Sequence, residues 1–211
     1  MAYIDQSHTY TDPKAYDDRT KGLLERYNKR AWDPVIAASA KKYISANDTV
    51  CDFGCGTLAH IDWMQQAKKI YAIDVNKAML DTGLKKLSPA QREKIEPVVS
   101  DACHTPLQGA LCSIVWSIGL TEYTDLDGLF QEMTRVSTPD ATMLLQFPNA
   151  HNLMHIAIRI LNTMRYKKTK RFRTLREIRN VSNRYGWSIT HVQSAFIRNN
   201  LWCVLRKSSE E

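Results

Sequence analysis

The chain of 211 residues fits one domain with a full core, and its 44% hydrophobic and 24% charged content is ordinary for a globular protein without repeats or low-complexity tracts. No run of about 18 apolar residues occurs, and the start MAYIDQSHTYTDPK lacks a basic region followed by an apolar core, so neither a transmembrane helix nor a secretory signal is expected and the expected compartment is the cytoplasm. The net charge of +7 is concentrated: 159–184 carries ten Lys/Arg against Glu177, a segment charge of +9 that leaves −2 elsewhere, which excludes a protein coated all over with nucleic-acid-binding charge. A polar, tyrosine-rich lead (Tyr3, Tyr10, Tyr16) gives way to helical spacing at Leu23, Leu24, Tyr27, Trp32, Val35, Ile36, Ala40, Tyr43 and Ile44, with Asp33-Pro34 predicting a fresh helical start. TVCDF is then a predicted strand and HIDWMQQA a helix. KIYAIDV is a strand, followed by helix NKAMLDTGLKKL with Asn76 as its cap. IEPVVSD and LCSIVWSIG are strands, DLDGLFQEMTRV is a helix and ATMLLQFP a strand.

This alternation predicts an α/β fold, Rossmann-like and doubly wound, with helices on both faces of a mostly parallel sheet. Beyond Pro148 the rhythm changes. NLMHIAIRILNTMRYKK reads as an apolar helix entering a basic stretch, and TLREIRNVSNRY as a helix ended by Gly186. WSITHVQSAF and LWCVLRK are too closely linked for a parallel crossover, so the last strand is expected to run antiparallel as the seventh in the sheet. The expected organisation is a helical cap over 1–46, a cofactor-binding core over 49–149, a basic helical insertion over 150–186 and the final two strands over 187–207. Five cysteines without metal-type CxxC pairs are most simply reduced thiols.

The stretch VCDFGCGTLAH ends a strand on an acid and then removes side chains. In open parallel sheets ligands bind beyond the carboxyl ends of the strands, where the chain changes direction. Gly54 and Gly56 let the chain turn sharply and let a ligand touch the main chain, and the N–H groups that open the next helix face the same spot. A nucleotide-like ligand follows. Gly54-x-Gly56-x-x-Ala59 with Asp74 also fits the dinucleotide pattern. Against that stand Asp52, an acid two residues before the first glycine, the short chain, and a further acid, Asp101, at the end of the third strand.

DFGCGTL (52–58), IYAIDVNKAML (70–80), VVSDA (98–102), IVWSIGLTEYTD (114–125) and LLQFPN (144–149) resemble, in order and spacing, the class I S-adenosylmethionine-dependent methyltransferases. Leu58 stands where that family's first motif has its third glycine. The resemblance implies S-adenosyl-L-methionine as cofactor and S-adenosyl-L-homocysteine as product. It implies Asp74 on the ribose hydroxyls, Asp101 on the adenine amino group with Ala102 against the ring, and Val75 and Met79 packed on adenine. Phe53 leads into Gly54, Cys55 and Gly56, which meet the methionine tail above the counter-charge of Asp52, while Ser117 and Ile118 line the methyl-transfer site. Cys55 and Cys103 are expected to be inert small residues.

Transfer of a sulfonium methyl needs alignment more than a fixed base. No Asn/Asp-Pro-Pro-Tyr/Phe motif follows the fourth strand, which argues against adenine, cytosine or glutamine-amide methylation. Candidate bases are Glu122, Tyr123, His104 and His151, with Tyr10 or Tyr16 from the lead. His151 and His155 lie one helical turn apart without a third ligand, so no metal is expected. The TEYTDLDGLFQEMTRVSTPD stretch resembles the small-molecule branch of the family, which implies an O-, N- or C-methyl acceptor of small or lipid-like kind. The basic 159–184 segment leaves three readings open: a solvated face over the acceptor pocket, contact with an anionic membrane, or contact with RNA and so an RNA methyltransferase. A non-catalytic S-adenosylmethionine-binding protein is the alternative outside enzymes.

Overall fold

A computed structural model describes residues 12–14, 23–150, 172–194 and 200–208, with side chains from residue 30 onward in the first helix. The elements are α1 (Leu23–Tyr43), β1 (Thr49–Phe53), a 3₁₀ turn (Ile61–Met64), β2 (Lys69–Asp74), α2 (Lys77–Lys85), α3 (Pro89–Glu93), β3 (Ile95–Val99), β4 (Cys112–Ser117), α4 (Leu126–Val136), β5 (Ser137–Pro148), α5 (Leu175–Arg184), β6 (Trp187–Ser194) and β7 (Asn200–Lys207). Seven strands form one sheet in the order β3-β2-β1-β4-β5-β7-β6. β7 runs antiparallel between β5 and β6, as expected, and the other neighbouring pairs are parallel. The order reverses between β1 and β4, which opens a crevice at their carboxyl ends.

Alternate side chains on the central strands feed two cores. Val50, Ile114, Trp116, Leu144, Trp202 and Val204 pack with Trp32, Ile36 and Ala40 of α1. Cys51, Phe53, Val115, Met143, Leu145 and Cys203 pack on the other face with Leu129, Phe130 and Met133 of α4 and Ile178 of α5. Both sheet edges are blunted: β3 carries Pro97, and β6 is irregular between Ile189 and His191.

Sequence and structure part company in three places. α1 runs unbroken through Pro34, where a fresh start was expected. Buried Trp32 and Ile36 hold the turns on either side of the exposed proline to the same sheet face, so the lost backbone hydrogen bond lies on the solvent side. HIDWMQQA yields only the 3₁₀ turn, whose buried Ile61 and Met64 stand three residues apart, the period of that helix. Cys51 and Cys112 are joined as a disulfide between β1 and β4, their Cα atoms 6.0 Å apart, so two of the five cysteines are not the free thiols expected, whereas Cys55, Cys103 and Cys203 are. Elsewhere the caps behave as read: Asn76 accepts from Ala78 N–H, and Gly186 takes φ +75° after α5. The apolar helix expected over 152–168 lies outside the described residues, and among those described no helix is long and apolar enough to cross a membrane.

Candidate functional site

The site is built from what leaves the tips of β1, β2, β3 and β4. Phe53 is fully buried in the core, and the chain then turns through Gly54 at φ +73° and Gly56 at φ +54°. The turn is tied to the neighbouring strand, since Gly54 and Cys55 donate to the Ile73 carbonyl at 2.8 and 3.0 Å. Leu120, from the loop after β4, lies over Gly54 so closely that a Cβ there would stand 2.9 Å from its own. The side of residue 54 on which a Cβ would stand is thus already covered by the protein.

At position 58, where the first motif of the family that the chain resembles has its third glycine, Leu58 keeps the backbone conformation a glycine would adopt, φ +58°. Its buried side chain finds room because the glycine is elsewhere. Gly83, on the inner face of α2, meets the Thr57–Leu58 backbone, and a Cβ on it would come within 2.7 Å of the Thr57 carbonyl carbon and 2.8 Å of Leu58 Cγ. Gly83→Ala is therefore expected to destabilise the fold by about 1–3 kcal/mol, the usual cost of overpacking a core contact. Urea unfolding measures this, and a midpoint equal to that of the parent would show that loop and helix are not in register as described.

Asp74, ending β2, bridges two loops. Its Oδ2 accepts from Gly56 N–H and its Oδ1 from Asn76 N–H, both at 2.8 Å. Burial raises its pKa, and these two hydrogen bonds oppose the rise. Each carboxylate oxygen has a second lone-pair direction, so the group can still accept from a diol. Asp52 is only 4% exposed. Burial first and the neighbouring Asp74 second push it up to about 8. The same burial, followed by the charges of Asp52 and Asp74, pushes the Cys55 thiol well above its ordinary value, which makes it an inert residue.

On the third strand's tip, Asp101 Oδ1 accepts from Cys103 N–H at 2.8 Å, and Ala102 is buried beside it. Burial first, then the nearby Asp101 and Asp125 carboxylates, push Cys103 up to about 12, so this thiol is inert as well. Val75 is 46% exposed, an apolar surface at the β2 tip, whereas Met79 points inward from α2 and is 3% exposed. Of the two residues expected against a base, only Val75 presents an open face. Ser117 is fully buried, and its hydroxyl donates to the Phe53 carbonyl at 2.9 Å, which pins the β4 tip to the β1 tip across the crevice. Ile118, next in chain, is half-buried.

The candidate bases separate. Glu122 is buried and Tyr123 half-buried in the loop directly after β4, with Thr121 Oγ1 tying that loop to the Gln146 carbonyl of β5 at 3.0 Å. His104 instead lies exposed in a groove shared with Thr105, Gln131, Glu132 and Arg135. Tyr10, Tyr16, His151 and His155 lie outside the described residues. No group of three or more metal-ligating side chains occurs among the described residues.

Sequence reasoning missed the side chains that support the site: Leu120 over Gly54, Gly83 against Leu58, and Glu132, which binds the loop after β3 from α4. The spacing of Glu132 and Arg135, one helical turn apart, is the signal that could have pointed to the last of these as an ion pair.

Residues 51–145 match the model of a methyltransferase-domain family. Among curated proteins no sequence matches the chain. An S-adenosylmethionine-dependent methyltransferase from Aquifex aeolicus shares the fold at 16% identity and a TM-score of 0.70, over 93% of this chain and 98% of that one. Magnesium protoporphyrin IX methyltransferase from Synechocystis, solved with bound S-adenosylhomocysteine, does so at 15% identity and 0.71, over 94% and 96%. A methyltransferase of the same cofactor dependence from Methanosarcina mazei gives 16% and 0.65, over 81% and 97%. At such identities the likeness is one of fold.

Proposed function

We propose, from the match of residues 51–145 to the model of a methyltransferase-domain family, that the chain is a class I S-adenosylmethionine-dependent methyltransferase and moves a methyl group to an O, N or C atom of a small or lipid-like acceptor by in-line displacement. The observation that supports this reading is that Asp52, Asp74 and Asp101 stand at or just beyond the carboxyl ends of three adjacent strands, with a glycine turn after the first of them at the point where the sheet order reverses. The cofactor, when bound, supplies a methyl group already activated on a sulfonium.

The residues present fit that molecule. Asp52, a buried carboxylate with a raised proton affinity, favours a neighbouring cation. Asp74 accepts the ribose hydroxyls with the lone pairs that Gly56 and Asn76 leave open. Asp101 accepts from the adenine amino group, and exposed Val75 gives the base an apolar seat. Gly54, Cys55 and Gly56 border the methionine part. Ser117 holds β4 against β1 while Ile118 and the 121–123 loop face the acceptor side, where Glu122 and Tyr123 are the groups available to receive a proton if the acceptor arrives protonated.

The acceptor class rests on the resemblance of the 121–140 stretch to the small-molecule branch and on the absence of a Pro-Pro-Tyr/Phe motif after β4. The RNA reading has its own observation, the +9 segment, whose described part shows Arg176 and Arg179 exposed on α5. Two measurements test the whole. Calorimetry with S-adenosylmethionine, S-adenosylhomocysteine and NAD should give binding of the first two alone. Labelled-methyl transfer should reach small or lipid-like acceptors, with salt-sensitive retention on RNA against anionic liposomes separating the roles of 159–184. Tight cofactor binding with no transfer to any acceptor class would leave a non-catalytic binder, and transfer to RNA alone would replace the small-molecule reading.

A further inference from the structure

The loop that carries Asp101 is anchored at both ends, and the two anchors differ in kind. At its start, Ser100 N–H donates to the Asp74 carbonyl at 3.0 Å, an ordinary continuation of the β2–β3 pairing. At its far end the partner is a side chain. Glu132, on the inner face of α4 and only 6% exposed, accepts from Thr105 N–H at 2.8 Å and from Thr105 Oγ1 at 2.5 Å through the same oxygen. Arg135, one turn along, donates to both oxygens of Glu132 at 2.8 and 2.6 Å and reaches the Thr105 carbonyl at 3.2 Å. Burial opposes the ionisation of Glu132, yet the hydrogen bonds from Arg135 and Thr105 hold it below the usual carboxylate range. A carboxylate satisfied by four donors in a place water hardly reaches is a fixed point.

Between these anchors lies a short turn whose own bonds are local: Cys103 N–H to Asp101 Oδ1, His104 N–H to the Asp101 carbonyl at 3.1 Å, and Ser100 Oγ to the His104 carbonyl at 2.8 Å. The turn sits close on α4, where Gly128 leaves the room that Cys103 Sγ uses, 3.3 Å from the Cβ the glycine lacks. The turn therefore takes its position from α4: Cys103 Sγ reaches the Asp125 carbonyl at 3.8 Å, and the charge-assisted tie at the far end of the turn is Glu132. A shift of about 1 Å at the Asp101 carboxylate is enough to lose a directed hydrogen bond.

We infer that Glu132 is a positioning residue for base recognition: through Thr105 it sets the Asp101 carboxylate at the distance that selects a 6-amino purine over a 6-oxo one. The inference deepens the proposed function and rests on the assignment of Asp101 to the adenine amino group. A 6-oxo base presents an acceptor where Asp101 needs a donor and carries N1–H where adenine has a bare N1, so the Asp101 contact supplies one part of the discrimination.

The test compares affinities for S-adenosylhomocysteine and S-inosylhomocysteine by calorimetry in the parent, Asp101→Ala, Glu132→Gln and Thr105→Val. The parent is expected to prefer the adenosyl compound by about tenfold or more, the effect of one hydrogen bond to a charged group. Asp101→Ala reduces that preference to what the N1 position of the ring contributes. Glu132→Gln and Thr105→Val, which preserve shape and can be checked for folding by their unfolding midpoints, are expected to reduce it to within about threefold while leaving affinity for the inosyl compound near the parent value. If both variants weaken the two compounds equally, or lower only the midpoint, Glu132 is merely structural and the inference is overturned while the Asp101 assignment stands. If Asp101→Ala keeps the preference, the assignment itself is wrong and the inference falls with it.

Discussion

Replacing Asp74 by alanine is expected to weaken binding of S-adenosylmethionine by at least tenfold. The figure follows from about 1.5–3 kcal/mol for a hydrogen bond to a charged acceptor, with two ribose hydroxyls competing for one carboxylate. The structure adds a second consequence. Because Asp74 also receives Gly56 N–H and Asn76 N–H, alanine strips the glycine turn and the entrance to α2 of their shared acceptor. Two backbone donors then turn to water, and the turn is no longer held for the methionine part. Asp74→Asn separates these effects, since its amide oxygen keeps one backbone donor while the charge is lost. Affinity should fall in both variants, and the unfolding midpoint should fall further in the alanine variant. Affinity unchanged in a folded Asp74→Ala protein would show that the ribose lies elsewhere.

How much of this was legible beforehand depends on where the information sits in the chain. Strand–helix alternation, the acids at strand tips and the cap at Asn76 are local signals, and they placed β1, β2, β3, β4, α2 and α4 close to where they lie. The direction of β7 was legible from the shortness of its link to β6, which chain geometry alone restricts. Pro34 misled because propensity speaks for a helix standing alone in water, whereas α1 is held down by Trp32 and Ile36. The Leu58–Gly83 exchange was invisible for another reason. The two residues are 25 positions apart, and only their meeting between loop and helix explains how one position forgoes a glycine while the other requires it. Glu132 hides in the same way, since on paper it is one more acid on an amphipathic helix with Arg135 beside it. What a sequence states poorly is which long-range partner a side chain will find, and the supports of this site are long-range partners.

Asp52→Asn is expected to remove a pH dependence that the parent shows both in stability and in cofactor binding. Asp52 has a folded-state value of about 8 against 3.8 when exposed. A carboxyl raised in this way contributes stability that is fully present below pH about 4 and is lost as pH rises toward about 8, because the folded protein must then hold an unwelcome charge or release the proton. Over that window the slope for one group approaches about 1.4 kcal/mol per pH unit. Asparagine has no such charge, so the variant's stability relative to the parent should climb between pH 4 and 8 and level off above. Binding runs the opposite way for the parent. A cationic ligand beside Asp52 favours the ionised carboxylate, so binding expels a proton below pH about 8, and affinity should rise with pH by as much as tenfold per unit before flattening. Asp74, whose own value is raised by burial, adds a slope of the same sign, which the comparison of parent with variant subtracts. Calorimetry in buffers of different ionisation heat counts the protons released. If parent and variant release equal numbers, Asp52 keeps one protonation state through binding and the proton-coupled counter-charge role assigned to it is wrong. S-adenosylhomocysteine sharpens the result: lacking the sulfonium charge, it should release fewer protons than S-adenosylmethionine from the parent and the same number from Asp52→Asn.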